Sequence, residues 1–165
     1  MSGRAGKAIL RANPYVLVFV EGVAGASPAG GFGPFWGENL FEAGDKPVDI
    51  PSSRLVYSPH VYGPSVAGQS YFNEPRFPNN MPNIWDMHFG YLREDHPLAI
   101  GEFGGRYQGH DQVWQDAFVA YIKREGIKNW FYWSLNPNSG DTGGILLDDW
   151  KTVDQRKMDL LKRLM

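Results

Sequence analysis

The sequence predicts an α/β chain built as the face of a (β/α) barrel, with parallel strands that deliver polar side chains to one common end. Three observations carry this. Residues 98–106 read LAIGEFGGR, a short apolar run that stops at Gly101 and places Glu102 directly behind it. That is the pattern of a buried parallel strand handing an acid to its C-terminal end. Three further segments share the build: VLVFVEG ends in Glu21, LVYSPHVY in His60 and Tyr62, and NWFYWSLNP in Trp133, Ser134 and Asn136. Helix-length stretches separate the last three strand candidates, as parallel neighbours require. Chemistry gathered at one end of successive strands is the plan of a barrel mouth.

Taken in order, residues 3–12 set Ala5, Ala8, Ile9 and Ala12 at helical spacing opposite Arg4, Lys7 and Arg11. Asn13-Pro14 closes that helix, because the residue before a proline is pushed out of the α region. A strand over 16–20 follows, closed by Glu21-Gly22. The connection 23–53 is long and rich in Gly and Pro, and loops of such length are uncommon unless functional or disordered. Its Gly31-x-Gly33 pattern has no strand directly before it and no Lys in place behind it, so it is not read as a phosphate cradle.

A strand over 55–62 puts His60 and Tyr62 on one side by alternation. An imperfect helical pattern runs over 83–94. Residues 111–125 are cleaner, with Trp114, Ala117, Phe118, Tyr121 and Ile122 on one stripe, Asp111 as N-cap and Gly126 as the stop. After the last strand, Thr152 is expected to head a final helix whose Met158, Leu161, Leu164 and Met165 face inward.

Composition bounds the function. A hydrophobic content of 42% is that of a globular chain, and a net charge of −2 offers neither a basic surface for nucleic acid nor a polybasic membrane patch. Without cysteine there is no disulfide framework and no thiolate metal site. The histidines lack HExxH or paired spacing, and Asp141, Asp148 and Asp149 lack the alternating order of a calcium loop, so no metal and no cofactor is expected. Those aspartates are read as turn-stabilising. Aromatic content is high, with six Trp, eight Tyr and ten Phe, and rings that stack on sugar faces are one use for the excess beyond a core.

VYSPHVY, FPNNMPNIW, GEFGG and WSLNPNSGDTGGILLDDW, in that order and at comparable spacing, resemble the later part of glycoside hydrolase family 5 endoglucanases. The similarity runs from about the first ten residues to near Asp154. It implies strands five to eight of a TIM (β/α)8 barrel. A complete barrel of this type takes about 250 residues, and this chain has 165. The fold expected is therefore half of a TIM (β/α)8 barrel, one partial domain over 1–165, completed by self-association into a homo-oligomer. The family is usually secreted, whereas MSGRAGKAIL lacks the apolar region of a secretory signal. That combination reads as a truncated chain rather than a cytosolic enzyme.

The resemblance also implies the chemistry: retaining hydrolysis of β-1,4-glucosidic bonds in cellulose or related β-glucans. That reaction needs a nucleophile and an acid/base carboxyl about 5–5.5 Å apart. Glu102 matches the family's nucleophile, Trp133 its platform under the sugar, and His60 and Tyr62 its glycone-side subsite. Trp36 lies in a region that forms a cleft wall. The family's Asn-Glu-Pro segment, which carries the acid/base at the end of strand four, has no counterpart at a matching place. Asn73-Glu74-Pro75 has no apolar strand before it and reads as a loop. In a two-fold assembly the Glu102 of one copy is the nucleophile and that of the other, its pKa raised by the like charge, the donor; Glu21 is the alternative donor. The competing reading is a catalytically impaired fragment that binds β-glucan or cello-oligosaccharide without turning it over.

Overall fold

The computed structural model describes residues 1–25 and 36–165. The Gly31-x-Gly33 reading falls outside these residues. Five strand segments, β1 (Val18–Val20), β2 (Leu55–Tyr57), β3 (His60–Tyr62), β4 (Ile100–Gly104) and β5 (Trp130–Tyr132), run parallel. β2 and β3 are one strand path interrupted at Ser58-Pro59. Proline has no N–H to give a ladder, and the path changes partners there. β2 pairs with β1, and β3 pairs with β4. The Ser58 amide still donates to Val20 at 2.9 Å, and the Pro59 carbonyl accepts from Gly101 at 2.9 Å. A parallel bridge between Tyr57 and Leu98 ties β2 to the start of β4, so the spatial order is β1, β2/β3, β4, β5.

The helices are α1 (Ser2–Ala12), α2 (Met81–His88), α3 (Gly109–Arg124) and α4 (Gln155–Lys162). On the side of the sheet that α2 and α3 cover, Trp85 lies edge-on to Trp114 with ring centroids 5.8 Å apart. Trp114 stacks on Phe118 at 5.0 Å, and Phe118 meets Phe103 of β4 at 5.4 Å. All four rings are buried. Each such pair adds about 0.5–1.5 kcal/mol to the area it removes from water. Truncating Phe118 to Ala costs about 3–5 kcal/mol. Among the described residues no helix is long and apolar enough to cross a membrane.

Several sequence expectations are corrected. β4 does not stop before the acid but carries Glu102 in its middle. Gly101 is a strand residue because a Cβ there would lie 2.4 Å from Ser58 Oγ and 2.7 Å from the His60 ring. It permits a close approach rather than a turn. β1 covers only the last three residues of 16–20, and β5 only three of the 129–137 stretch. The helix expected over 83–94 breaks at Phe89, which leaves helical geometry to bury its ring, and continues as a 3-10 turn over Gly90–Glu94.

Gln108, not Asp111, is the N-cap of α3. Asp111 is buried one turn in, where it accepts from the Tyr107 amide and Gln115 Nε2, both at 2.7 Å. Asp154, not Thr152, caps α4 by accepting from the Arg156 amide. Thr152 donates to Asp149 instead, from its amide at 2.8 Å and from its hydroxyl. Met165 is exposed rather than packed.

Candidate active site

Strand register builds the site. Across the β3–β4 ladder His60 is the direct partner of Glu102, and Tyr62, two residues on, shares its face. Tyr62 donates its phenol hydrogen to Glu102 Oε2 at 2.5 Å. His60 Nδ1 lies 3.3 Å from Glu102 Oε2 and also 3.3 Å from Glu21 Oε1, at the end of β1. One imidazole nitrogen thus touches a carboxyl oxygen from each of two strand ends. Gly37, at φ +83°, lets the chain pass directly over Glu21, since a Cβ there would sit 2.0 Å from the carboxyl oxygen.

Burial, and next the hydrogen bond to Glu102, push the Tyr62 phenol well above its ordinary value of 10.0, so it remains a donor. Trp36, Tyr62, Glu102, Trp133, Asp141 and Thr142 line a cavity of about 170 Å³. Both indoles are about half exposed. Trp36 has φ +56°, and the Trp133–Ser134 peptide is cis. A larger cavity, about 480 Å³, lies beside Arg106, Leu147, Asp154 and Arg156. Among the described residues no aromatic side chain lines it beside its aspartates, whereas in the smaller one Glu102 stands among Trp36, Tyr62 and Trp133.

All six residues singled out in the sequence thus lie at one end of the strands: Glu21, His60, Glu102 and Tyr62 linked in that order by contacts, Trp36 and Trp133 on the cavity wall beside Glu102. Glu74 is elsewhere, accepting from Asn80 Nδ2 at 2.9 Å in its loop. Asp141 accepts from the Ser139 hydroxyl and the Thr142 amide, each at 2.8 Å, and Asp149 from Lys151 and Thr152. Among the described residues no three His, Asp or Glu converge to hold a metal.

Sequence reasoning missed a buried pair, Glu38 and His88, with Oε1 and Nδ1 2.7 Å apart. Burial raises the Glu38 carboxyl above its ordinary value, against the lowering influence of His88. The pair clamps the segment behind Trp36 onto the end of α2, where the Leu40 amide also donates to the His88 carbonyl at 3.0 Å. Nothing in the spacing of residues 38 and 88 announces it.

Carboxyls bridged by an imidazole, flanked by exposed indoles at the C-terminal ends of parallel strands, are arranged as at the mouth of a (β/α)-barrel protein. Comparison with known proteins narrows the class. The family model "Cellulase (glycosyl hydrolase family 5)" matches residues 1–139. The chain is 52% identical to the "Major extracellular endoglucanase" of Xanthomonas campestris pv. campestris, over 98% of this chain and 34% of that protein. It is 48% identical to an "Endoglucanase" of Paenibacillus polymyxa, over 98% of this chain and 42% of that one.

Among solved structures, the catalytic domain of the Xanthomonas enzyme superposes with a TM-score of 0.90 at 50% identity, covering 99% of this chain and 48% of that one. A Pyrococcus horikoshii endocellulase variant in complex with cellotetraose gives 0.94 at 45% identity, covering 99% and 47%. The chain belongs to glycosyl hydrolase family 5, the cellulase family. It spans about half the length of the solved catalytic chains it matches, and 34–42% of the two curated relatives.

Proposed function

We propose that this chain forms part of an endo-β-1,4-glucanase that hydrolyses cellulose or related β-glucans with retention, and that Glu102 is the nucleophile. The observation that carries the reading is the position of Glu102, held by the Tyr62 phenol, beside His60 and on the wall of a cavity bounded by two exposed tryptophans. A carboxylate so placed attacks the anomeric carbon while the pyranose stacks on Trp133. Water then releases the glycosyl ester. Tyr62 and His60 orient the nucleophile, and Trp36 is a second sugar contact.

The proton donor is the open part of the scheme. The family's acid/base segment has no counterpart here, and Glu21, in contact with the imidazole that touches Glu102, is the donor this chain itself offers. The fold is read as one partial domain over 1–165, four strand paths of a TIM barrel whose open face a second copy covers. Cello-oligosaccharides are the ligands, in line with the cellotetraose bound by the Pyrococcus relative. Secretion is inferred from the Xanthomonas relative, whose name calls it extracellular.

The test is Glu102→Gln. A neutral isostere cannot form the ester, so turnover of a chromogenic cello-oligosaccharide should vanish while binding persists. Retained turnover would overturn the nucleophile assignment. One observation favours a second reading, a glucan-binding piece without turnover: the chain covers only about half of a catalytic domain. Any Glu102-dependent release of the chromophore excludes it.

A further inference from the structure

The loop after β5 brings a carboxyl into the cleft that the reaction scheme leaves unused. Asp141 lines the same cavity as Glu102, Tyr62, Trp36 and Trp133. Its Oδ1 is committed to the loop, accepting from Ser139 and Thr142. Its Oδ2 accepts no hydrogen bond from the described residues, and the residue is exposed.

Two cations fix this loop from the other side. Lys157, 3% exposed, donates from Nζ to the Thr142 carbonyl at 3.0 Å and the Gly144 carbonyl at 2.9 Å, with the Tyr132 ring centroid 6.0 Å away. Arg106 donates from Nη2 to the Gly140 carbonyl. Peptide groups on both sides of Asp141 are therefore tied to α4 and to the end of β4. A buried ammonium is costly to desolvate, and here its donors are spent on the loop's own carbonyls.

We propose that Asp141 is a substrate-binding residue, positioned by Lys157, which selects a neutral sugar over an anionic one beside Glu102. The inference rests on the cleft being a glucan site. An ionised carboxylate only accepts hydrogen bonds. A sugar hydroxyl in the cleft can donate to Oδ2 in place of solvent, whereas a carboxylate on the sugar has no hydrogen to give. That carboxylate would also enter a mouth already holding Glu21 and Glu102, and like charges at close range repel. Because the cleft is open to solvent, salt screens this repulsion.

Calorimetry tests it with two probes: cellotetraose, and cellotetraose with a C6 hydroxymethyl oxidised to carboxylate. The wild-type chain should bind the neutral probe about tenfold or more tighter, and the ratio should shrink as salt is added. Asp141→Asn should narrow the ratio and lessen its salt dependence, the share owed to Glu21 and Glu102 remaining. Asp141→Ala should weaken the neutral probe about tenfold, the loss of one charge-assisted hydrogen bond. Lys157→Met, checked for a cooperative melt, should behave as Asp141→Ala does, and Lys157→Arg should recover part of the loss. A ratio and a salt dependence both unchanged from wild type in folded Asp141→Asn overturn this inference alone. A wild-type chain that binds neither probe overturns it together with the glucan-cleft reading.

Discussion

Tyr62 and Glu102 share a hydrogen bond of 2.5 Å across the β3–β4 ladder, and the phenol is the donor. Two residues of separation from His60, the ladder partner of Glu102, give the ring the reach to do this. Since burial and Glu102 both raise the phenol above its ordinary value, the bond persists over the working pH range. Hydrogen bonds to charged groups are worth about 1.5–3 kcal/mol. Tyr62→Phe should thus lower the turnover rate about 10- to 100-fold, with a melting temperature close to wild type. Steady-state kinetics at saturating cello-oligosaccharide read this, and an unaltered rate would leave the bond a structural one.

Trp133 and Trp114 separate the two uses of tryptophan in this chain. Trp133 is 44% exposed on the cavity wall and Trp114 is fully buried under α3. Trp133→Ala should weaken cellotetraose binding by about 1–2 kcal/mol with little change in stability. Trp114→Ala should cost about 3–5 kcal/mol of stability. Calorimetry beside chemical denaturation distinguishes them, and an unchanged affinity in the first variant would remove Trp133 from the subsite.

Glu38 makes the stability of the chain pH-dependent in a definite direction. Its folded carboxyl holds its proton more tightly than the ordinary value of 4.5, chiefly through burial. A group whose pKa is raised on folding contributes stability that is complete below its unfolded pKa and is lost as pH rises through the folded value. Glu38→Gln keeps the shape and removes the titration. Its melting temperature should fall less than that of wild type between pH 4.5 and neutrality. Parallel curves for the two proteins would show that His88 carries the pair as an ion pair instead.

How much of this was legible in the sequence depends on the range of the interaction. The strand ends carrying Glu21, His60, Tyr62, Glu102 and Trp133 could be found because each motif is local and alternation fixes the face. The stripe of α3 could be found because its period is local too. Helix caps were misplaced at Asp111 and Thr152, since a capping side chain competes with partners such as Gln115 and Asp149 that only the fold brings near. Glu38 with His88, and Lys157 with the Thr142 carbonyl, are contacts between distant segments that no periodicity encodes. The glycines of GEFGG illustrate the same limit, because Gly101 serves the approach of Ser58 and His60 rather than a turn.

The outer strands bear on the assembly. Among the described residues β1 and β5 each pair on one side only, and Leu17, Phe19 and Phe131 are exposed while Val20 is buried. Unpaired edges next to apolar surface invite pairing. The proposed two-fold arrangement, with β5 of each copy parallel to β1 of the other, would cover both edges. Burying one such side chain yields about 1.5–3 kcal/mol. Across two copies the gain is of the order of the about 4–15 kcal/mol that association costs. New strand ladders would add to that gain, and micromolar concentrations are where the proposed dimer is sought. Light scattering across that range should show the dimer, and Phe19→Glu should dissociate it, whereas a folded wild-type monomer throughout would refute the assembly. The same preparation settles the donor. If Glu21 protonates the leaving oxygen, Glu21→Gln in the dimer should lose about 100-fold or more in rate on a substrate with a poor leaving group, and much less on one whose leaving group needs no proton. A normal rate on both removes Glu21 from the list of donors.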